Sequence, residues 1–442
     1  MLLLCTLAIG FFMAMIDLTA VNVALPDIAH SLGVPLTGLV WVVDGYTLTF
    51  AALLLAGGAL ADRLGPKTAY QAGLAFFIVA SALCGMAPNG SLLVAARMLQ
   101  GMGAALFMPS SLALMSHAFP DDRQRAKMLG IWSAMVGVAS AVGPAVGGLL
   151  ITGFGWRGVF WVNVPIGLAG IALARWQVAA TAPHRRELSV ASHVLGIATL
   201  AGLTYFLIEG PSRGWLSASV AGAVLLAVAA FAWLVRRERA GAHPLLPPAL
   251  LQARGFGAVN AVGFCINFGA FGQFFLLGLY LQQAQAMAAL QAGMLLLPVM
   301  ATFVVGNLAS GAIMARAGTR WPLLIGLGSA VVLGLAMTQV RAATPYALVL
   351  LGAALMNLMV GVAVPAMTTT VMQIAGRTNA NSAAAALNAN RQIGALVGVA
   401  VMGSILHATP GWDTRLWVAF TTITALYAVA WATVQRRIGR PA

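Results

Sequence analysis

The chain has 442 residues, 61% of them hydrophobic and 8% charged, with a net charge of +14. A soluble domain carries about a quarter charged residues, so this composition excludes one and indicates an all-α polytopic membrane protein. Barrel strands would alternate over ~10 residues, whereas the apolar runs here are ~20 residues long and match a ~30 Å hydrocarbon layer.

Fourteen apolar spans are expected, and they carry few charges. The first, 3–25, begins almost at Met1, so a longer natural start is expected. It lacks the basic flank and cleavage site of a signal peptide and is read as a retained helix. Asp17 sits in its middle, where hydrocarbon cannot solvate a carboxylate. The second span, 39–61, contains Asp44; the third is 69–87; the fourth, 92–115, contains Arg97. At 1.5 Å per residue, Asp17 lies ~12–15 Å from the outer end of its helix, and Asp44 and Arg97 each ~8 Å. Two acids and one base are thus expected to share a layer.

The fifth and sixth spans are 126–150 and 157–178. The seventh, 190–209, ends at Glu209 beside Gly210-Pro211, which reads as a solvated helix end; the eighth is 216–235. Then come 256–282, 288–313, 322–340, 344–372, 383–407 and 415–435. Arg391, inside the thirteenth span, either snorkels to the interface or caps a cavity floor. Cys5, Cys84 and Cys265 lie far apart in spans and read as apolar packing residues.

Eighteen of the 24 Lys and Arg residues fall in loops on one side, four on the other, and Arg97 and Arg391 inside spans. The positive-inside rule puts both termini in the cytoplasm. Nucleic acid is excluded as a partner, because the positive charge is confined to these short loops.

An internal repeat is present. Gly58-Ala-Leu-Ala-Asp-Arg-Leu-Gly-Pro-Lys67 follows the second span, and Gly311-Ala-Ile-Met-Ala-Arg-Ala-Gly-Thr-Arg320 follows the tenth. The organisation expected is an N-terminal six-helix bundle (1–178), two extra helices with linkers (179–254) and a C-terminal six-helix bundle (255–442). Parallel halves of this kind mark transporters.

These stretches resemble the major facilitator superfamily, and within it the fourteen-helix drug:proton antiporters. Gly58, Asp62, Arg63, Gly65 and Lys67 match the loop between helices 2 and 3, although Pro66 replaces the usual basic residue. Arg97-Met-Leu-Gln-Gly-Met-Gly103 is similar to the helix-4 motif. Gly137, Gly143, Pro144, Gly147 and Gly148 resemble the antiporter motif of helix 5. Ile16 to Pro26, Trp156 to Pro165 and Asn390 to Gly398 resemble further stretches of the same branch.

The resemblance implies a major facilitator fold. It also implies a proton-coupled antiporter that exports lipophilic small molecules, with a cationic cargo favoured, across the inner membrane by alternating access. Asp17, Asp44 and Arg97 are the candidate proton-coupling residues, and the Gly58–Lys67 loop a conformational latch. Met13, Asn22, Met108, Phe271, Phe274, Phe275 and Arg391 are candidate cavity residues, since soft and aromatic walls suit varied ligands. The partners expected are protons, substrate and the bilayer; a monomer and a periplasmic adaptor protein remain open. The sequence has no Gly-x4-Gly-Lys-Ser/Thr loop or metal cluster. Neither cofactor nor enzyme is therefore expected. The alternatives are an exporter of one endogenous metabolite or antibiotic and, from other classes, a passive channel or a membrane enzyme.

Overall fold

The computed structural model describes residues 2–118, 122–178, 189–240, 246 and 248–438. They form α1 (Leu2–Leu32), α2 (Leu36–Leu64), α3 (Pro66–Met86), α4 (Gly90–Ala118), α5 (Asp122–Phe154) and α6 (Gly158–Gln177). Next are α7 (Val190–Arg213), α8 (Ala218–Ala240), α9 (Phe256–Ala284), α10 (Ala289–Ala317) and α11 (Arg320–Met337). The last are α12 (Tyr346–Gly376), α13 (377–408) and α14 (Trp412–Arg437). Thirteen of these are long and apolar enough over their described residues to cross a membrane. The remaining one, α5, is 33 residues long, or about 50 Å, ample for a crossing. Helices suit this setting because each satisfies its own backbone polar groups where no water can.

Three local features depart from uniform spans. The sixth span is two helical pieces, Gly158–Trp161 and Asn163–Gln177, joined at Val162. The last turn of α9 widens into a π-helical turn, Tyr280–Ala284. The loop expected between the twelfth and thirteenth spans is instead a break at one residue, Gly376, with φ 64° and ψ −178°. A side chain would be strained at that φ, so glycine lets two helices meet without a loop.

The chain forms two compact units. One comprises residues 1–200 with 288–294, and the other 201–287 with 295–442. Within each unit the repeat seen in the sequence recurs as structure, with the matched donors and turn glycines 253 residues apart and their acceptors 256 or 257 apart. Thr49 on α2 donates to the carbonyl of Met98 on α4 at 2.8 Å, and Thr302 on α10 donates to Ala354 on α12, also at 2.8 Å. Gly65 and Gly318 both take a positive φ, 86° and 72°. Lys67 donates to the carbonyl of Val178 just past the end of α6 (2.6 Å), and Arg320 to Gln435 near the end of α14 (3.3 Å). A cation at the carbonyl end of a helix satisfies exposed acceptors and the negative end of the dipole.

The first and fifth helices of each set also pack alike. A Cβ at Gly143 would lie 1.8 Å from Thr19 Oγ1, and one at Gly147 2.8 Å from Ala20 Cα, both on α1. A Cβ at Gly394 or Gly398 of α13 would lie 2.3 or 2.4 Å from the Phe264 or Phe268 carbonyl of α9. No side chain fits in these gaps. Small residues are what bring helices this close where no hydrophobic effect drives them together.

Candidate functional site

Asp17 lies in the middle of α1, fully buried. Its carboxylate accepts three hydrogen bonds. Arg97 Nη1 donates to Oδ2 at 2.5 Å, while Gln100 Nε2 (2.9 Å) and Asn163 Nδ2 (2.8 Å) donate to Oδ1. The Arg97–Asp17 pair is an ion pair with no exposure on either side chain.

Arg97 and Gln100 are three residues apart, so they share one face of α4. Gln100 Oε1 accepts from Arg97 Nη1 (2.6 Å), and its Nε2 also donates to Ser81 Oγ on α3 (2.6 Å). Asn163, at the start of the second piece of α6, reaches the same hydroxyl at 3.1 Å. Arg97 Nε donates to the carbonyl of Val42 on α2 at 2.9 Å. Its guanidinium carbon stands 4.5 Å from the centre of the Tyr46 ring, within range of a cation–π contact. Arg97 Nη2 and Asn163 Oδ1 have no hydrogen-bond partner among the described residues.

The result is a neutral, dry knot tying α1, α2, α3, α4 and α6 within the first unit. Breaking one side of a buried ion pair costs about 3–5 kcal/mol, because the other charge stays buried. Thr19 and Asn22 do not hold Asp17. Each turns back onto its own helix, Thr19 to the carbonyls of Met15 and Ile16 and Asn22 to Leu18.

Asp44 is not brought into this knot. It is fully buried on α2, and neither carboxyl oxygen has a hydrogen-bond partner among the described residues. One of the two acids expected to share a layer is thus ion-paired, and the other stands unpartnered.

Helix α5 runs beside Asp17. Gly143 and Gly147 abut Thr19 and Ala20, two and three residues on from the acid. A Cβ at Gly148 would lie 2.6 Å from Leu290 Cα, and Pro144 sits within the helix. The surroundings of Gly137 lie outside the described residues. In the Gly58–Lys67 segment, Gly58 would place a Cβ 3.8 Å from Pro109 on α4, and Arg63 is exposed. The Asp62 side chain, the centre of the latch reading, lies outside the described residues.

The candidate cavity residues are dispersed. Met13 is buried on α1, and its sulfur would lie 3.5 Å from a Cβ at Gly167 of α6. Met108 is buried on α4. In the second unit, Phe274 and Phe275 are buried, while Phe271 and Arg391 are half-buried. The second unit also holds a cavity of about 600 Å³, lined by Arg254, Arg320, Arg437, Thr370 and Gln373 among others.

Gln100, Asn163, Ser81 and Tyr46 were not singled out from the sequence. Gln100 carried a signal, since it is one helical turn from Arg97. Asn163 lies in a stretch recognised by resemblance. Ser81 and Tyr46 carried none, being ordinary residues until folding places them.

The Major Facilitator Superfamily profile matches residues 7–399. The methylenomycin A resistance proteins of Streptomyces coelicolor and Bacillus subtilis are each 44% identical to this chain. Those alignments cover 98% and 97% of it and 92% of each relative. The tetracenomycin C resistance and export protein of Streptomyces glaucescens is 33% identical over 92% of this chain and 76% of its own length. A profile match over most of the chain, on a helical frame whose halves repeat the same contacts, shows that this protein belongs to the major facilitator superfamily.

Proposed function

We propose that this protein exports a lipophilic drug-like molecule across the inner membrane, both termini cytoplasmic, in exchange for protons. The observation that carries the coupling is the contrast between its two buried acids. Asp17 is neutralised by Arg97 and held by two amides. Asp44 has no hydrogen-bond partner among the described residues. A carboxyl without a partner is tolerated in an apolar site only while uncharged. Losing its proton therefore requires Asp44 to gain water or a cation, which ties proton release to a change of conformation. In this reading Asp44 carries the proton and the Asp17–Arg97 knot braces the helices around it.

The glycine face of α5 supports the same cycle. A smooth helix packed on α1 beside Asp17 can slide or part with little steric resistance, which alternating access requires. The Gly58–Lys67 segment acts as the latch, with Lys67 fastening the start of α3 to the end of α6. The inward proton gradient drives export, and the membrane potential adds ~2.3 kcal/mol per charge per 100 mV.

A narrower reading, export of one antibiotic or metabolite, is favoured by the relatives named for resistance to a single compound. One assay addresses both. Cells expressing the protein are challenged with cationic, neutral and anionic lipophilic compounds, with and without a proton uncoupler. Uncoupler-sensitive resistance to several compounds supports a multidrug exporter, and resistance to one supports the narrow reading. Resistance that persists with the uncoupler refutes proton coupling, and none against any compound refutes export.

A further inference from the structure

Arg391 is a cation without a counter-charge. It lies fifteen residues past the break at Gly376, so about 22 Å along α13. Its Nε is closed off from solvent with no hydrogen-bond partner, and no ion pair reaches the guanidinium among the described residues. The stem runs beside Gly263 of α9, where a Cβ would lie 3.3 Å from Arg391 Cγ and 2.9 Å from Leu387 Cδ1. The stem and Nε are thus set among helices, while the residue as a whole is half-buried.

The second set of helices cannot neutralise it. From Phe256 to the end of the chain there is one acidic residue, Asp413. That residue begins α14, past the far end of α13, and accepts from the backbone of Ala342. On the inserted helices, Glu209 pairs with Arg213 at 2.7 Å, and Glu238 lies in the last turn of α8. Arg97, the other arginine inside a span, has Asp17. Withdrawing an unpaired charge even partly from water is costly, and a site built this way is completed by a charge from outside.

A second observation points the same way. The cavity of about 600 Å³ lies at the arginine-rich end of this unit and is lined by Arg254, Arg320 and Arg437, with no acidic residue. Thr370 and Gln373 of α12 line it too. One turn from Thr370 along the same helix is Met367, which borders Gly263 beside Arg391. Walls of one charge sign concentrate ions of the other, so the cavity gathers anions.

We propose that Arg391 is the binding residue for an anionic cargo, a lipophilic carboxylate whose charge replaces the missing partner. The guanidinium fork accepts a planar carboxylate through two parallel hydrogen bonds. This rests on the export reading and assigns its cargo class; it departs from the cationic cargo expected from the acids, since Asp17 is already neutralised.

The test uses the full-length protein in everted vesicles, with 4-butylbenzoate, its methyl ester and tetraphenylphosphonium as probes. The expected result is proton-driven transport of the carboxylate at least tenfold above the ester, and a fall of at least tenfold in that ratio for Arg391→Gln. Arg391→Lys, which keeps the charge, is expected to retain a preference for the carboxylate. The wild-type comparison needs no variant, so it stands even if Arg391→Gln does not fold. Equal transport of carboxylate and ester, or an unchanged ratio in Arg391→Gln, overturns the proposal. Transport of tetraphenylphosphonium without the carboxylate overturns it and leaves export intact, whereas transport of none of the three overturns both.

Discussion

Replacing Asp17 by Asn removes one charge and exchanges one oxygen for an amino group, with no change of size. The carboxylate now meets donors on both oxygens, Arg97 on Oδ2 and Gln100 with Asn163 on Oδ1. An asparagine has one acceptor oxygen. Turned one way its NH2 confronts the guanidinium; turned the other, a flipped Asn163 can offer its unpartnered Oδ1, but the NH2 still confronts Gln100 Nε2. Flipping Gln100 does not help, because its Oε1 already accepts from Arg97 at 2.6 Å. Arg97 is left buried and charged with no anion. The expected cost is about 3–5 kcal/mol, the penalty for halving a buried ion pair.

The Asp17→Asn, Arg97→Gln double variant removes the stranded charge as well. It is expected to be less destabilised than the two single variants together, by about 2 kcal/mol or more. Denaturant unfolding of the purified protein in detergent, run as a double-mutant cycle, measures this. Additive costs within about 0.5 kcal/mol would refute the reasoning. They would mean that the pair is solvated in the protein's working state.

Asp44→Asn should fold normally, since an amide is no worse buried than an unpartnered acid, yet abolish uncoupler-sensitive export; retained coupling would remove Asp44 as the carrier. Gly143→Leu should sharply lower the yield of folded protein, because even its Cβ would lie 1.8 Å from Thr19 Oγ1; wild-type yield by size-exclusion profile would contradict the close approach. Lys67→Met should destabilise the end of α6 by about 0.5–1.5 kcal/mol, the net value of a hydrogen bond, seen as faster amide exchange at residues 174–178. Asp62→Asn should slow turnover more than it weakens substrate binding, and equal effects on both would argue against a latch.

Much of the frame was legible because hydrocarbon imposes a one-dimensional rule. A segment crosses if it is apolar for about twenty residues, and that can be read along the chain without knowing any contact. The repeat was legible for a related reason. Gly65 and Gly318 both sit where φ must be positive, so both halves retained the same residue. The break at Gly376 was missed because the surrounding residues are polar enough to resemble a loop, and a helix there depends on one dihedral angle.

For the site, the chain by itself determined that charges stand inside spans at Asp17, Asp44, Arg97 and Arg391, since burial of charge follows from position in an apolar run. It also determined that α9–α14 contain one acid. Tertiary structure alone decided which charges meet. Asp17 and Arg97 are 80 residues apart, and Asn163 is 146 residues from Asp17. Pairing over such separations depends on which helix faces turn toward each other, a property of packing that no local spacing encodes. Folding gave Asp17 a cation and two amides, and left Asp44 and Arg391 Nε without hydrogen-bond partners among the described residues.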